Sequence, residues 1–410
     1  MHITDVNPGE KMKKLSFAVL ATMMLFSFTG CKKDEAPAKA DDQTAAEAAK
    51  PEAKAKAIDC ATVSVDSLKG SIKDKTNVTV DEYASILESL RCCKISEKNF
   101  SLDKKTCVTE DALKALKADK AKLPALDQVA PILAKSDSAL VRARAYASFA
   151  GLFGASDKDL SIAKEAMKNE KDAYALKELT AGLMNEGNKD ADVAKFLLDM
   201  AKHENKFVRE KAAAALGNSW SDKVEGASDA VIALMSDSEE SVVKAACSGA
   251  GKLNDEKVID PIVKILNDSS KSKVHSDCVK GLSTMWLDYP FHKNHNENAY
   301  KATMDYFKKS PRTKDVPVWS GVAAFNVVAN SRGEFDNWKK EATWFRMDEF
   351  AATMTELVKD ENFNWLGKGP AMKAIASFGG KAELEKLGPV VEGMDKKVVD
   401  NYKKELDSAK

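Results

Sequence analysis

Histidine and cysteine are the residues with the most chemistry to offer in this chain, and the histidines offer little. Of the five, His2, His203 and His275 stand apart. His292 and His295 are three positions apart in His-Lys-Asn-His, a spacing that lets two imidazoles reach one metal ion, with Asp288 or Glu297 completing the shell. A polar loop carrying two incidental histidines is the simpler reading, so neither a metal nor a cofactor is expected. No glycine-rich phosphate loop, serine nucleophile elbow or metalloprotease helix motif occurs. The cysteines are denser: Cys60, Cys92, Cys93 and Cys107 fall close together. In an oxidising compartment such a set is a disulfide framework, whereas a reducing one would favour zinc. A redox-active pair would want Cys-x-x-Cys spacing and a lowered thiol pKa, which this segment does not clearly offer.

The N-terminus indicates the compartment. From Met12 the chain reads MKKLSFAVLATMMLFSFTGC: two lysines, a mostly apolar run from Leu15 to Phe28, then small residues before Cys31. That is the order of a secretory signal peptide, and the apolar run is short for a bilayer span. Phe28, Thr29, Gly30 and Cys31 resemble the bacterial lipobox, with Phe28 where leucine is usual. The resemblance implies diacylglycerol on the Cys31 thiol and cleavage before it. Each buried acyl methylene contributes roughly 0.8 kcal/mol, so several chains make a stable anchor. Lys32 and Lys33 follow Cys31, and Asp34 comes two positions later than that family's inner-membrane retention aspartate, which favours the outer membrane. Residues 1–11 fit no targeting pattern, and translation is expected to begin at Met12. In an exported protein the four cysteines form disulfides. A bond between Cys92 and Cys93 would close a strained ring, so each is expected to bond outward, to Cys60 and Cys107.

The elements that follow divide the chain. Residues 1–30 are the expected signal peptide. Residues 31–57, almost wholly Ala, Lys, Glu, Asp, Pro, Gln and Thr without an aromatic residue, are a disordered tether. Residues 58–120 are a small helical segment carrying the cysteines. Within it, Thr79 and Glu82 make a capping box for a helix from Val80 to Cys93, with Tyr83, Ile86, Leu87 and Leu90 on one face. Charge excludes one class of partner: the 63 basic and 63 acidic residues cancel, so no basic field draws the chain to nucleic acid.

Beyond position 120 the chain repeats itself. The stretch Val141-Arg-Ala-Arg-Ala-Tyr-Ala-Ser-Phe149 has counterparts starting at Ala175, Val208, Val242 and Val274, at the spacing of one helix-turn-helix unit. Each copy ends in small residues or glycine, and apolar segments such as Ala227–Met235 and Val258–Leu266 supply second helices. Two further copies fit at Pro317 to Phe325 and Pro370 to Phe378, separated by insertions at 287–296 and 330–344. Phe207-Val-Arg-Glu-Lys-Ala-Ala-Ala-Ala-Leu-Gly217 resembles the HEAT-repeat family in its short bacterial form. Arg142 and Arg209 match that family's basic position, where Val243 and His275 depart from it. The resemblance implies an all-α protein, with an α-solenoid over 121–390 closed by a capping helix over 391–410.

Such solenoids act mostly as binding surfaces, so the expectation is a lipid-anchored, non-catalytic scaffold for a protein or peptide partner in the cell envelope. The alternatives are small-molecule or metal capture and a lyase-type accessory enzyme. Aromatic residues crowd the chain after Met285, and most are expected in the core. Tyr289, Phe291 and Trp338 fall in the insertions and are the candidate partner anchors. Cys247 and Cys278 occupy equivalent helices one position out of register and read as buried thiols, with a bridge across the stack as the alternative.

Overall fold

The computed structural model describes residues 58–72, 75–103, 105–116, 122–149, 160–187, 190–218, 220–287, 295–311, 318–332 and 335–409. The expected signal peptide, Cys31 and the tether lie outside these residues, as do Tyr289, Phe291 and His292. Residues 55–410 form one compact unit, the cysteine-bearing segment included.

That segment opens with α1 (Val65–Gly70) and α2 (Val80–Glu88). Both halves of the Thr79–Glu82 capping box are present, and Tyr83, Ile86, Leu87 and Leu90 are buried. The helix stops at Glu88 rather than running to Cys93, and tightens into a 3₁₀ turn over Ser89–Cys92. Cys93 leaves that turn in an extended conformation, and the two adjacent sulfurs go to different partners. Cys92 bonds Cys60 and Cys93 bonds Cys107. Between the second pair lies a hairpin that the sequence reading did not anticipate: β1 (Ile95–Ser96) pairs antiparallel with β2 (Ser101–Leu102), Ile95 opposite Leu102 and Ser96 opposite Ser101. Helix α3 (Val108–Leu116) completes the segment.

Paired helices follow. The helices starting at the template positions are α5 (Ala139–Ala147), α7 (Ala173–Gly182), α9 (Lys206–Leu216), α11 (Glu240–Ala250), α13 (His275–Trp286), α15 (Val318–Arg332) and α18 (Trp365–Glu385). Their partners are α4 (Leu126–Leu133), α6 (Ser161–Asn169), α8 (Ala191–Met200), α10 (Ala227–Leu234), α12 (Ile259–Leu266), α14 (Glu297–Lys309) and α17 (Met347–Lys359). Between α15 and α17 lies the short helix α16 (Phe335–Glu341). After α18 come α19 (Gly388–Val391) and α20 (Lys396–Ser408), the expected closing helix.

Template helices stack on one another without a break from α5 to α18 and on to α20, while neighbouring partner helices touch sparsely. The template helices thus form one closely stacked layer, termed the inner ridge. Small residues make the spacing possible. Gly217 meets Gly249 backbone to backbone, and a Cβ built on Gly249 would lie 2.6 Å from the Gly217 Cα. A Cβ on Gly281 would overlap the Cys247 carbonyl one helix back. This close approach brings the Cys247 and Cys278 Cα atoms to 4.6 Å, and the two are bonded, so the reading as separate thiols is corrected.

Two further expectations change. Proline was expected to open the last template copy, but α18 begins at Trp365 and carries Pro370 inside it, so the copy starts a turn and a half earlier. The insertion at 330–344 is not an exposed edge. Its helix α16 buries Phe335 and Trp338, with Ala342 just beyond, an i, i+3, i+7 stripe packed into the core. Trp338 is fully buried among Trp286, Phe345 and Phe378, and its indole donates to the Trp286 carbonyl at 3.0 Å. It is a core residue rather than a partner anchor. No helix among the described residues is long and apolar enough to cross a membrane.

Candidate functional site

Two basic residues of the template hold successive pairs together in the same way. Arg142 reaches forward to the Glu170 carboxylate through Nε (2.7 Å) and Nη2 (2.9 Å), while its Nη1 donates to the carbonyls of Ser136 and Asp137, both at 2.9 Å. Arg209 repeats this at the same sequence offset, with Asp237 at 2.7 and 3.0 Å and the carbonyls of His203 and Glu204 at 2.9 and 2.7 Å. The planar guanidinium does two tasks: it satisfies carbonyls left open where the preceding helix ends, and it ties that turn to the next repeat. Burial raises the Glu170 and Asp237 carboxyls, but their arginines and the adjacent backbone N–H groups outweigh it and hold both below the usual carboxylate range.

His275 shows what happens where the arginine is replaced. Its Nε2 lies 3.0 Å from the Ile265 carbonyl and 3.1 Å from that of Asp268, and Nδ1 lies 3.2 Å from the Tyr306 hydroxyl of the next pair. An imidazole thus fills the same bridging role over a shorter reach, and burial lowers its pKa. Both of its ring nitrogens are engaged in this bridge.

His295 is likewise engaged: its Nε2 pairs with Glu341 at 2.9 Å, and its backbone carbonyl accepts from the Trp344 indole. Among the described residues no cluster of His, Cys, Asp and Glu suits a metal ion. The large aromatic most exposed among them is Trp365, at 43%, with the Lys397 ammonium 4.9 Å from its ring.

The inner ridge carries the feature that sequence reasoning missed. The hairpin held by Cys93 and Cys107 lays its tip against α7 and α9. The Phe100 ring stacks on Phe207 (5.0 Å between centroids, 10° between planes) and meets Tyr174 edge-on at 5.7 Å. Lys177, itself buried, donates to the Phe100 carbonyl at 2.8 Å and lies 4.8 Å from the Tyr174 ring. Continuous with this slot, a groove of about 580 Å³ opens along α9 and α11, lined by Lys98 and Asn99 of the hairpin, by Lys177 and Phe207, and by Lys211 and Lys244 farther along. The signal was available in part: Tyr174 and Phe207 both immediately precede the first apolar template position, where the next pair has Ser241.

Residues 194–283, from within α8 into α13, match the HEAT repeats family. No curated protein matches the chain. Among solved structures it is similar to a crystal structure of an engineered protein at 16% identity, with 84% of this chain and 99% of that one covered and a TM-score of 0.36. The family match falls on the pairs clamped by Arg209 and packed through Gly217, Gly249 and Gly281, and over that stretch the chain is similar to HEAT repeats.

Proposed function

We propose that this chain is a non-catalytic scaffold, held to a bacterial envelope membrane by lipid on Cys31, whose inner ridge binds a protein or peptide partner. The observation that supports the binding role is the continuous inner layer of template helices, which leaves a long open surface with a groove along α9 and α11. A surface of this kind presents many shallow polar and aromatic contacts, as protein recognition requires, and does not enclose a small substrate. The lipid and envelope assignment is supported by the sequence from Met12 to Cys31 alone. The outer membrane is favoured by the lysines that follow Cys31.

The anchor is tested by labelling cells with a tagged fatty acid and fractionating membranes, native against Cys31→Ser. Label and outer-membrane recovery that both vanish in the variant support it; label-free native protein overturns it. The binding role is tested by crosslinking in intact envelopes with Lys211→Glu and Lys244→Glu. Both side chains line the groove, so charge reversal should remove a specific crosslinked species while helical content is unchanged. A species that persists in both variants argues against the inner ridge.

A further inference from the structure

The hairpin tip meets the inner ridge at the edge of the core through a few specific contacts. Phe100 is only partly buried, and its slot is assembled from two consecutive repeats, Tyr174 and Lys177 on α7 and Phe207 on α9. The tip carries one ring and one carbonyl into the slot, and each finds a specific counterpart. Phe100 has φ +47°, a conformation that non-glycine residues adopt rarely and hold where surrounding contacts demand it. The hairpin itself is two residues per strand, and the Cys93–Cys107 bond closes its base. A strand pair that short has little independent stability, so the disulfide keeps the turn shaped and close to the ridge. The groove then continues from Phe207 along α9 and α11, with Lys98 and Asn99 of the hairpin at its edge.

We propose that the Tyr174–Lys177–Phe207 slot is the anchoring subsite of the inner ridge, that it takes an aromatic side chain presented on a tight turn of a partner protein, and that Phe100 is its resident competitor. The inference rests on the reading of the inner ridge as the binding surface and names its subsite. The partner's chemistry follows from the occupant's: a planar ring to lie on Phe207 and meet Tyr174, and a backbone carbonyl turned toward the Lys177 ammonium. The remainder of the partner would run along the groove past Lys211 and Lys244. A turn tethered to the same chain acts at an effective concentration on the order of millimolar, so it holds weak ligands off and yields to a partner with further contacts in the groove.

The probe is a synthetic peptide of residues 93–107 closed by its Cys93–Cys107 bond and carrying a dye, titrated by fluorescence anisotropy into the full chain. The expected result is binding to Phe100→Ala at least about tenfold tighter than to the native chain, the tether being the difference. Binding should be lost in Phe100→Ala/Phe207→Ala and with a peptide whose own Phe100 is alanine. Equal binding to native and Phe100→Ala chains, or no binding to the latter, overturns the proposal. Should Phe100→Ala unfold by circular dichroism, Phe100→Leu keeps apolar volume without the stacked ring and serves in its place. If the native full chain binds Phe100→Ala as tightly as the peptide does, the occupant is a second copy, and the proposal of a different partner falls. Failure of the peptide with persistent envelope crosslinks from the groove would remove the subsite while leaving the scaffold reading intact.

Discussion

Arg209 provides a sharp test of how the pairs are held. Its side chain is 16% exposed and that of Asp237 is 9% exposed, so Arg209→Ala strands a nearly buried carboxylate that keeps only its bond from the Glu239 N–H, and leaves the His203 and Glu204 carbonyls without their donor. Breaking a buried ion pair from one side costs about 3–5 kcal/mol, and the partial exposure of Arg209 brings the expectation to about 2–4 kcal/mol. Asp237→Ala should cost less, about 1–3 kcal/mol, because Arg209 keeps both carbonyls and some access to water. The two losses overlap, so the double variant should fall short of their sum by about 1–3 kcal/mol. Repeats contact mainly their neighbours, so the damage should be local. Hydrogen exchange should accelerate about 30-fold or more in α8 to α11 and hardly at all in α15 to α18. Urea denaturation gives the totals and exchange mass spectrometry the location. A cost under about 1 kcal/mol with strict additivity would refute the clamp, since no measured surface pair would then distinguish it.

Three further predictions follow from the same structure. Glu170 and Asp237 both have carboxyls depressed on folding, so their stabilisation is complete above the ordinary carboxylate range and is lost as pH falls through the lower folded values. Stability measured from pH 6 down to pH 2.5 should therefore drop most steeply at the acid end, and Arg209→Ala should flatten that drop. Gly249→Ala pushes a methyl to within 2.6 Å of the Gly217 Cα, backbone that cannot rotate away, and should destabilise by about 1–3 kcal/mol in thermal or urea unfolding. Trp338→Ala empties a fully buried site and should cost about 3–5 kcal/mol, so any loss of partner binding it causes should come with a lowered unfolding midpoint.

Local signals in the sequence carried over into structure where the physics is local. Thr79 with Glu82 starts α2, the repeated small and apolar runs become the inner helices, and glycine at 217 and 249 permits their approach. What depended on tertiary contact was not readable in advance. Nothing near Phe100 announces that Tyr174 and Phe207, far along the chain, will receive it. Trp338 was placed in a loop because the template breaks there, although the spacing of Phe335, Trp338 and Ala342 is helical. Cys247 and Cys278 lie one position out of register, yet the glycine-packed helices are close enough for the side chains to span the offset. The anchors expected at Tyr289 and Phe291 lie outside the described residues, and the aromatic contact on the inner ridge comes from an earlier part of the chain.

The central claim is that partners are held on the inner ridge, and site-specific photocrosslinking in intact envelopes tests it most directly. A photoreactive residue is placed singly at Lys211 and Lys244 in the groove, and at Lys264 and Lys308 on partner helices, where both side chains are exposed. The account predicts a discrete crosslinked protein from the first two positions and none from the second two. The same product from Lys264 or Lys308, with none from the groove, would contradict it.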